Sequence, residues 1–443
     1  MWRGSPSARD DDVKPGARLR AATEVLEAIE NRHRPAAEAL ADWGKSHRFA
    51  GSGDRAAIGN IVYDALRRRH SIAARMGSEA PRALVLGVAA VALGMGAQEI
   101  EAAADGSQHA LETLSEAERA ALARMEPDIA QPSHIRGDYP EWLAASFERA
   151  FGDRAAEEGE ALARRAPVDM RVNTLKADRE RVLKALERHG AVATPLSPIG
   201  VRIPAPVGNG RTPNVEAEAA HGKGWFEVQD EGSQIAALLA NATPRAQVLD
   251  LCAGSGGKTL ALAARMQNTG QIYAYDGNRA RLRPIFERLK RAGARNVQVL
   301  DAGDEKALAT LGARFDVVLV DAPCTGSGVW RRRPDAKWRV KPANLAERRA
   351  EQAAVLALAR GCVKPGGHIL YVTCSVLPEE NTDTVEAFLA QAPEFSLSPY
   401  GEMWRTALGT EPPASADGRT DTLLLTPARH GTDGFFVATI RRS

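Results

Sequence analysis

From Gln247 onward the chain alternates between short, almost wholly apolar stretches and amphipathic ones. QVLDLC, QIYAYD, VQVL, FDVVLVD and HILYVTC read as strands. Helices open between them near Lys258, Asn278, Glu305 and Ala343, and another near Glu379 follows the last strand. A strand with no polar face has no side to offer water, so this pattern predicts a mostly parallel, doubly wound sheet buried between helices. DTLLLTP and GFFVATI read as an antiparallel pair that finishes the sheet. In such folds ligands lie beyond the carboxyl ends of the strands, so chemistry is sought at each strand's last residue.

Ahead of this region the texture differs. Residues 17–165 carry helical spacing without a strand signal: ARLRAATEVLEAIENR aligns Leu19, Ala22, Leu26 and Ile29, and RAAIGNIVYDALRRR aligns Ile58, Ile61, Val62 and Leu66. The apolar run Ala83–Ala97 is too short to span a bilayer, which takes about 20 residues, and reads as a buried bundle helix. MRVNTLKADRERVLKALERHG then begins a small strand–helix–strand unit, closed by a Gly/Pro-rich loop. The organisation expected is a flexible N-terminus (1–16), a helical domain (17–138), linker helices with a small α/β unit (139–225) and an α/β domain (226–443).

The sequence LDLCAGSGGKT ends like a phosphate-binding loop. That fingerprint, GxxxxGK[ST], needs a glycine where this chain has Cys252, because the first glycine makes the turn that wraps the phosphate. A nucleotidase is therefore disfavoured. Other carboxylates favour an adenosine-bearing ligand. Asp250 ends the first strand, and Asp276 ends the second, where it can accept both ribose hydroxyls. Asp301 and Asp304 follow the third, where either can reach an adenine amino group. Together they describe a pocket for S-adenosylmethionine, held by Cys252, Ala253, Gly254, Ser255, Gly256, Gly257, Lys258, Asp276, Asp301 or Asp304, and Asp321.

Four cysteines are present and none forms a CxxC pair; the nine histidines form no HxxxH or HExxH cluster. Neither a metal site nor a disulfide frame is expected, and a reducing cytoplasm follows. Cys362 and Cys252 read as packing residues. Cys324, in VDAPCTGSGVW, and Cys374, in YVTCSVLPEEN, fall at the ends of neighbouring strands beside Asp321. A methyltransferase needs a thiol there when its target is carbon 5 of a pyrimidine. Addition of a thiolate at carbon 6 converts the ring to an enamine that is nucleophilic at carbon 5. Asp321 suits the ring nitrogen and exocyclic amine. Spacing alone leaves open which thiol attacks.

VQDEGSQ, LDLCAGSGGKT, LVDAPCTGSGVWRRRPDAKW, YVTCSVLPEEN and DGFFVATI together resemble the Nop/Sun family of RNA cytosine carbon-5 methyltransferases, and most closely its bacterial 16S ribosomal RNA branch. The resemblance runs from about Arg171 to the C-terminus. It implies a class I Rossmann-like methyltransferase domain, with Cys374 as nucleophile and Cys324 assisting release. Family members read CAAPGGKT where this chain has CAGSGGKT, so Gly254 and Ser255 stand for alanine and proline. The helical region resembles, more weakly, the NusB-like domain of the ribosomal branch.

RNA contacts are expected in two places. WRRRPDAKWRVK is basic and carries two tryptophans directly after the Cys324 strand, which points to Arg331, Arg332, Arg333, Lys337 and Trp338. MRVNTL resembles the family's RNA-binding subdomain and points to Arg171 and Asn173. The target base must be single-stranded or flipped to meet a thiol. The expected protein is a cytoplasmic monomer that needs neither membrane nor metal. Its substrate would be ribosomal RNA, free or in an assembling small subunit. The rival reading is an assembly factor whose methyltransferase fold is silent.

Overall fold

The computed structural model describes residues 14–32, 34–126, 128–208 and 210–443. The expected flexible terminus lies outside them up to residue 13, and a helix already runs over Pro15–Arg32. With Ala36–Ser46, Ser52–Arg67, Arg69–Met76 and Pro81–Val91 it forms a helical domain around one core that includes Leu19, Leu26, Ile58, Ile61 and Val62. The apolar run from Ala83 is a buried helix only to Val91; Gly94 then takes a left-handed turn. Gly87 sits where an added Cβ would lie 2.3 Å from Ile72 Cγ2, so the neighbouring helix packs on bare backbone.

The helices Ala144–Phe151 and Ala155–Leu162, grouped by sequence with the small α/β unit, belong physically to the large sheet. Tyr139 stacks on Phe147 at 4.0 Å between ring centroids, and Phe147 lies against Trp330. The small unit keeps the expected strand–helix–strand order and extends it to a four-stranded antiparallel sheet. Its strands are β1 (Val168–Val172), β2 (Val192–Ala193), β3 (Gly200–Ile203) and β4 (Phe226–Val228), in the order β2-β3-β1-β4. β4 was assigned to the catalytic region by sequence; Phe226 pairs with Val172 and so closes this sheet instead. Asp178 caps its helix, Arg179–Ala185, by accepting from the Arg181 amide at 2.7 Å.

The large sheet contains β5 (Gln247–Asp250), β6 (Gln271–Ala274), β7 (Val297–Val299), β8 (Phe315–Asp321), β9 (Val363–Thr373), β10 (Phe395–Ser398), β11 (Leu423–Leu425) and β12 (Phe435–Arg442). The order is β10-β12-β9-β8-β5-β6-β7, with β11 on β12. β7, β6, β5, β8 and β9 are mutually parallel, and β12 runs antiparallel to β9, β10 and β11. Sequence had missed β10, a short edge strand. The register pairs Asp250 with Leu319 and Asp321 with Val372, which brings the ends of β5, β8 and β9 to one rim. Among the described residues, no helix is long and apolar enough to cross a membrane.

Candidate active site

The helix Gly257–Arg265 begins directly after the glycine turn that follows β5, and its first turn carries Lys258 and Thr259. Gly256, at φ +85°, lies where an added Cβ would stand 2.5 Å from Ile285. Gly254 is left-handed too, at φ +50°. That explains a glycine in place of alanine here, since an L side chain is disfavoured at positive φ. Ser255 accepts from Arg288 Nη1 through both its carbonyl (3.0 Å) and its hydroxyl (2.7 Å), the second of which proline could not do.

Asp276, two residues beyond β6, accepts from the Gly254 amide at 2.9 Å and the Asn278 amide at 2.8 Å, so it braces the turn it faces. Asp304 caps the helix Glu305–Leu311 through the Ala307 amide, whereas Asp301 is exposed and makes no side-chain hydrogen bond among the described residues. Asp250 is fully buried. Thr259 donates to its Oδ2 at 2.6 Å, its Oδ1 has no partner, and burial pushes its carboxyl up to about 7. Cys252 borders the same turn, where burial and the nearby carboxylates push its thiol up.

Lys258 Nζ donates to Asp321 Oδ2 at 2.7 Å and lies over the Phe435 ring. Lys258 is buried, while the Asp321 side chain is about one third exposed (34%) and open to the rim. Beyond it the two thiols meet, Cys324 Sγ standing 3.3 Å from Cys374 Sγ. Both are free and partly buried. The hydrogen bond to Cys374, burial and the Glu380 carboxylate raise the Cys324 thiol well above its ordinary range, so Cys324 keeps its proton.

The loops that carry the thiols are tied together by residues the sequence reading did not single out. Glu380 is fully buried and accepts from the Thr325 amide (2.8 Å), the Thr325 hydroxyl (2.6 Å) and Gln352 Nε2 (3.1 Å). Gln352 also donates to the Pro323 carbonyl at 2.9 Å. Asn381 accepts from the Thr373 hydroxyl and donates to the Ser375 carbonyl, fixing the backbone on either side of Cys374. The available signal was PEEN itself, two acids and an amide directly after a reactive strand end. Gly328 and Gly434 touch through bare backbone: an added Cβ on Gly328 would lie 2.2 Å from the Gly434 carbonyl oxygen.

Most of the residues expected to contact RNA are engaged within the protein. Arg331 is buried and donates to Asp433; Arg332 bonds Asp433 and, at 3.0 Å, Asp230. Lys337 is buried, with Nζ on the Arg67 carbonyl at 2.8 Å, and Trp338 Nε1 donates to the Leu66 carbonyl at 2.6 Å. This segment cements the helical domain to the catalytic one, and of the five named residues Arg333 alone is exposed without an ion pair among the described residues. Arg171 is likewise buried, bonded to Gln229 and to the Gly257 carbonyl, and Asn173 Nδ2 donates to Gly224 and Ala292 carbonyls at 2.8 Å each. Both join the small sheet to the donor-side loop.

No group of three or more His, Cys, Asp or Glu side chains is arranged to hold a metal ion among the described residues. The residues present fit S-adenosylmethionine. An added Cβ at Gly277 meets no atom within 4 Å, and one at Gly254 meets only Asp276 Oδ2, at 3.9 Å. The backbone beside that carboxylate thus faces open space.

Comparison with known proteins gives the same answer. A methyltransferase homolog from Pyrococcus horikoshii superposes with a TM-score of 0.58 at 27% identity, over 70% of this chain and 98% of that one. The chain is 32% identical over 314 residues to a probable ribosomal RNA small subunit methyltransferase B of Synechocystis, covering 69% of this chain and 67% of the relative. It is 35% identical over 292 residues to the ribosomal RNA small subunit methyltransferase B of Sodalis glossinidius, covering 65% and 66%. The chain thus spans about two thirds of the length of these relatives. The ferredoxin-like domain of RsmF/B-like methyltransferases matches residues 139–208, and the profile of 16S rRNA methyltransferase RsmB/F matches residues 237–441. The chain belongs to the RsmB/F family of methyltransferases.

Proposed function

We propose that the protein methylates carbon 5 of a cytosine in small-subunit ribosomal RNA through a covalent cysteine adduct. The observation that carries this reading is the pair of thiols 3.3 Å apart at the ends of adjacent parallel strands, beside the Lys258–Asp321 ion pair. The substrate class follows the relatives, which are named as small-subunit ribosomal RNA methyltransferases.

Bound S-adenosylmethionine supplies an electrophilic methyl carbon. Cys374 adds as thiolate to carbon 6, and the electron pair of the ring's 5,6 double bond becomes available at carbon 5. Asp321, held by Lys258, hydrogen-bonds the ring edge and favours that addition. When the proton on carbon 5 passes to a general base, the double bond re-forms and the carbon–sulfur bond breaks. Cys374 leaves as thiolate, and Cys324, kept protonated, donates a hydrogen bond to the departing sulfur. Two thiols divide attack and release because one is held as the acid.

Covalent trapping tests this. Cys324→Ala and Cys374→Ala variants are mixed separately with S-adenosylmethionine and total RNA, and denaturation-resistant protein–RNA bands are sought. A band with Cys324→Ala alone supports the assignment, and sequencing the trapped RNA gives its site. A band with Cys374→Ala alone reverses the two roles. No band with either, despite donor binding and with ribosomal particles also tried, leaves the silent assembly factor as the better reading.

A further inference from the structure

The helical stretch after β6 presents a surface that the site above does not use. Between Arg279 and Arg295 the sequence has seven Arg or Lys residues against a single acid, Glu287. Two of the seven are spoken for: Arg288 and Arg291 pair with Glu227 at 3.0 and 2.7 Å. The others are exposed and form no ion pair among the described residues.

Their spacing is what distinguishes them. Helix Arg279–Leu282 leads into helix Ile285–Ala292 through Arg283 and Pro284, both of which keep right-handed helical angles. Leu282, Ile285 and Ala292 fall on the buried side, and Ile285 packs against Gly256 of the donor loop. Arg279, Arg283, Phe286 and Lys290 recur at intervals of four, three and four and so share one exposed face, over roughly 16 Å at 1.5 Å per residue. Phe286 is 58% exposed between two of these cations. Some surface arginines elsewhere have an acid beside them, as Arg119 has Glu101 and Arg405 has Glu411. Here three cations and an aromatic ring are left to solvent on a face whose flank, through Arg288, holds Ser255 of the glycine turn.

We propose that this face is an RNA-binding surface: Arg279, Arg283 and Lys290 take phosphates of the strand flanking the target, and Phe286 stacks one of its bases. The inference rests on the RNA substrate proposed above. It relocates the contact from the 330–341 segment, which is bound up with Asp230, Asp433 and the helical domain, to a surface that is free. A protein that neutralises phosphates releases counterions, with about 0.7 of a unit of salt slope per contact on a single strand. An aromatic stack contributes affinity with little salt dependence.

Binding of a fluorescein-labelled 20-nucleotide single-stranded RNA to the full chain, followed by anisotropy across a salt series, tests it (probe length of about 20 chosen to exceed a typical 4–16-nucleotide binding footprint). Donor binding and far-UV circular dichroism serve as controls of folding. The Arg279→Ala/Arg283→Ala/Lys290→Ala variant is expected to bind about tenfold or more weakly near physiological salt, with a log–log salt slope shallower by about 2. Phe286→Ala should weaken binding about tenfold while leaving the slope unchanged. Wild-type affinity and slope in both variants, with the wild type itself binding RNA, would overturn this surface and leave the RNA substrate standing. A wild type that binds neither this probe nor ribosomal RNA would remove the surface and the RNA reading together.

Discussion

Cys324 Sγ and Cys374 Sγ stand 3.3 Å apart, each on the loop that ends one of two neighbouring parallel strands. Free thiols this close are one short approach from a disulfide. Hydrogen peroxide should oxidise the pair, taking two electrons and two protons and leaving as water. The expected result is the loss of two of the four free thiols, a fall in methyl transfer of about tenfold or more, and recovery with dithiothreitol. Thiol counting with and without Cys324→Ala checks it. Retention of all four thiols after treatment would show that the loops hold the sulfurs apart.

Lys258 anchors Asp321 from a buried position, so Lys258→Met removes the cation while keeping the length of the side chain. The carboxylate then loses its orientation at the rim. Methyl transfer should fall about 10²-fold in kcat/KM, by analogy with removal of one preorganised electrostatic partner. Lys258→Arg should recover part of that loss. Steady-state kinetics with ribosomal RNA reads both, and activity of Lys258→Met within twofold of wild type would deny the pair a role.

Glu380 receives three hydrogen bonds from Thr325 and Gln352, and burial raises its carboxyl above the usual range. Glu380→Ala leaves the Thr325 amide and hydroxyl without their acceptor and Gln352 with the Pro323 carbonyl alone, at a cost of roughly 1–3 kcal/mol. The sharper readout is chemical. The loop carrying Cys324 should loosen, so alkylation of that thiol by iodoacetamide should accelerate several-fold, with Cys362 unaffected as the internal reference. Equal Cys324 rates would mean that the loop is held by other contacts.

Glu158 lies in the helix Ala155–Leu162, fully buried, with neither carboxyl oxygen hydrogen-bonded among the described residues; Arg154 stands 3.5 Å from Oε1, yet burial outweighs it and pushes the carboxyl up to about 7. The folded state therefore holds its proton where the unfolded chain, near 4.5, has lost it. Stability from this group is fully present below about pH 4.5 and is lost as pH rises through 7. Glu158→Gln should remove that dependence and raise stability at pH 8 by roughly 1–3 kcal/mol. Urea denaturation at pH 5 and pH 8 measures it; identical pH slopes for the two proteins would place the titration elsewhere.

The arrangement at the strand ends was legible because its signals are local. A glycine turn between an apolar strand and a helix, and acids or cysteines at strand ends, need only neighbours in sequence to be read. The basic segment after Cys324 misled for the opposite reason. Arg331 and Arg332 look unneutralised in sequence, yet Asp230 and Asp433 come to them from distant parts of the chain. Lys337 and Trp338 look like a phosphate contact and a stacking platform, but their partners are carbonyls at the end of a helix in another domain. Glu380 was passed over because its importance depends on burial, which a charged letter in a loop does not disclose. β10 was missed because a four-residue edge strand carries too little alternation to stand out.

The contact of Gly328 with Gly434, and the place of β12 between β9 and β10, set an order on synthesis. Among the described residues β10 pairs with no strand but β12, and the loop after Cys324 closes against backbone that lies just before β12. A nascent chain that has emerged only as far as β11 carries both thiols and the whole glycine turn, but neither loop has its final support. Pairings this distant in sequence form late and slowly. The rim around the two thiols is therefore expected to close only once β12 is delivered, and truncation within 435–442 should leave a protein with every proposed catalytic residue and no organised rim.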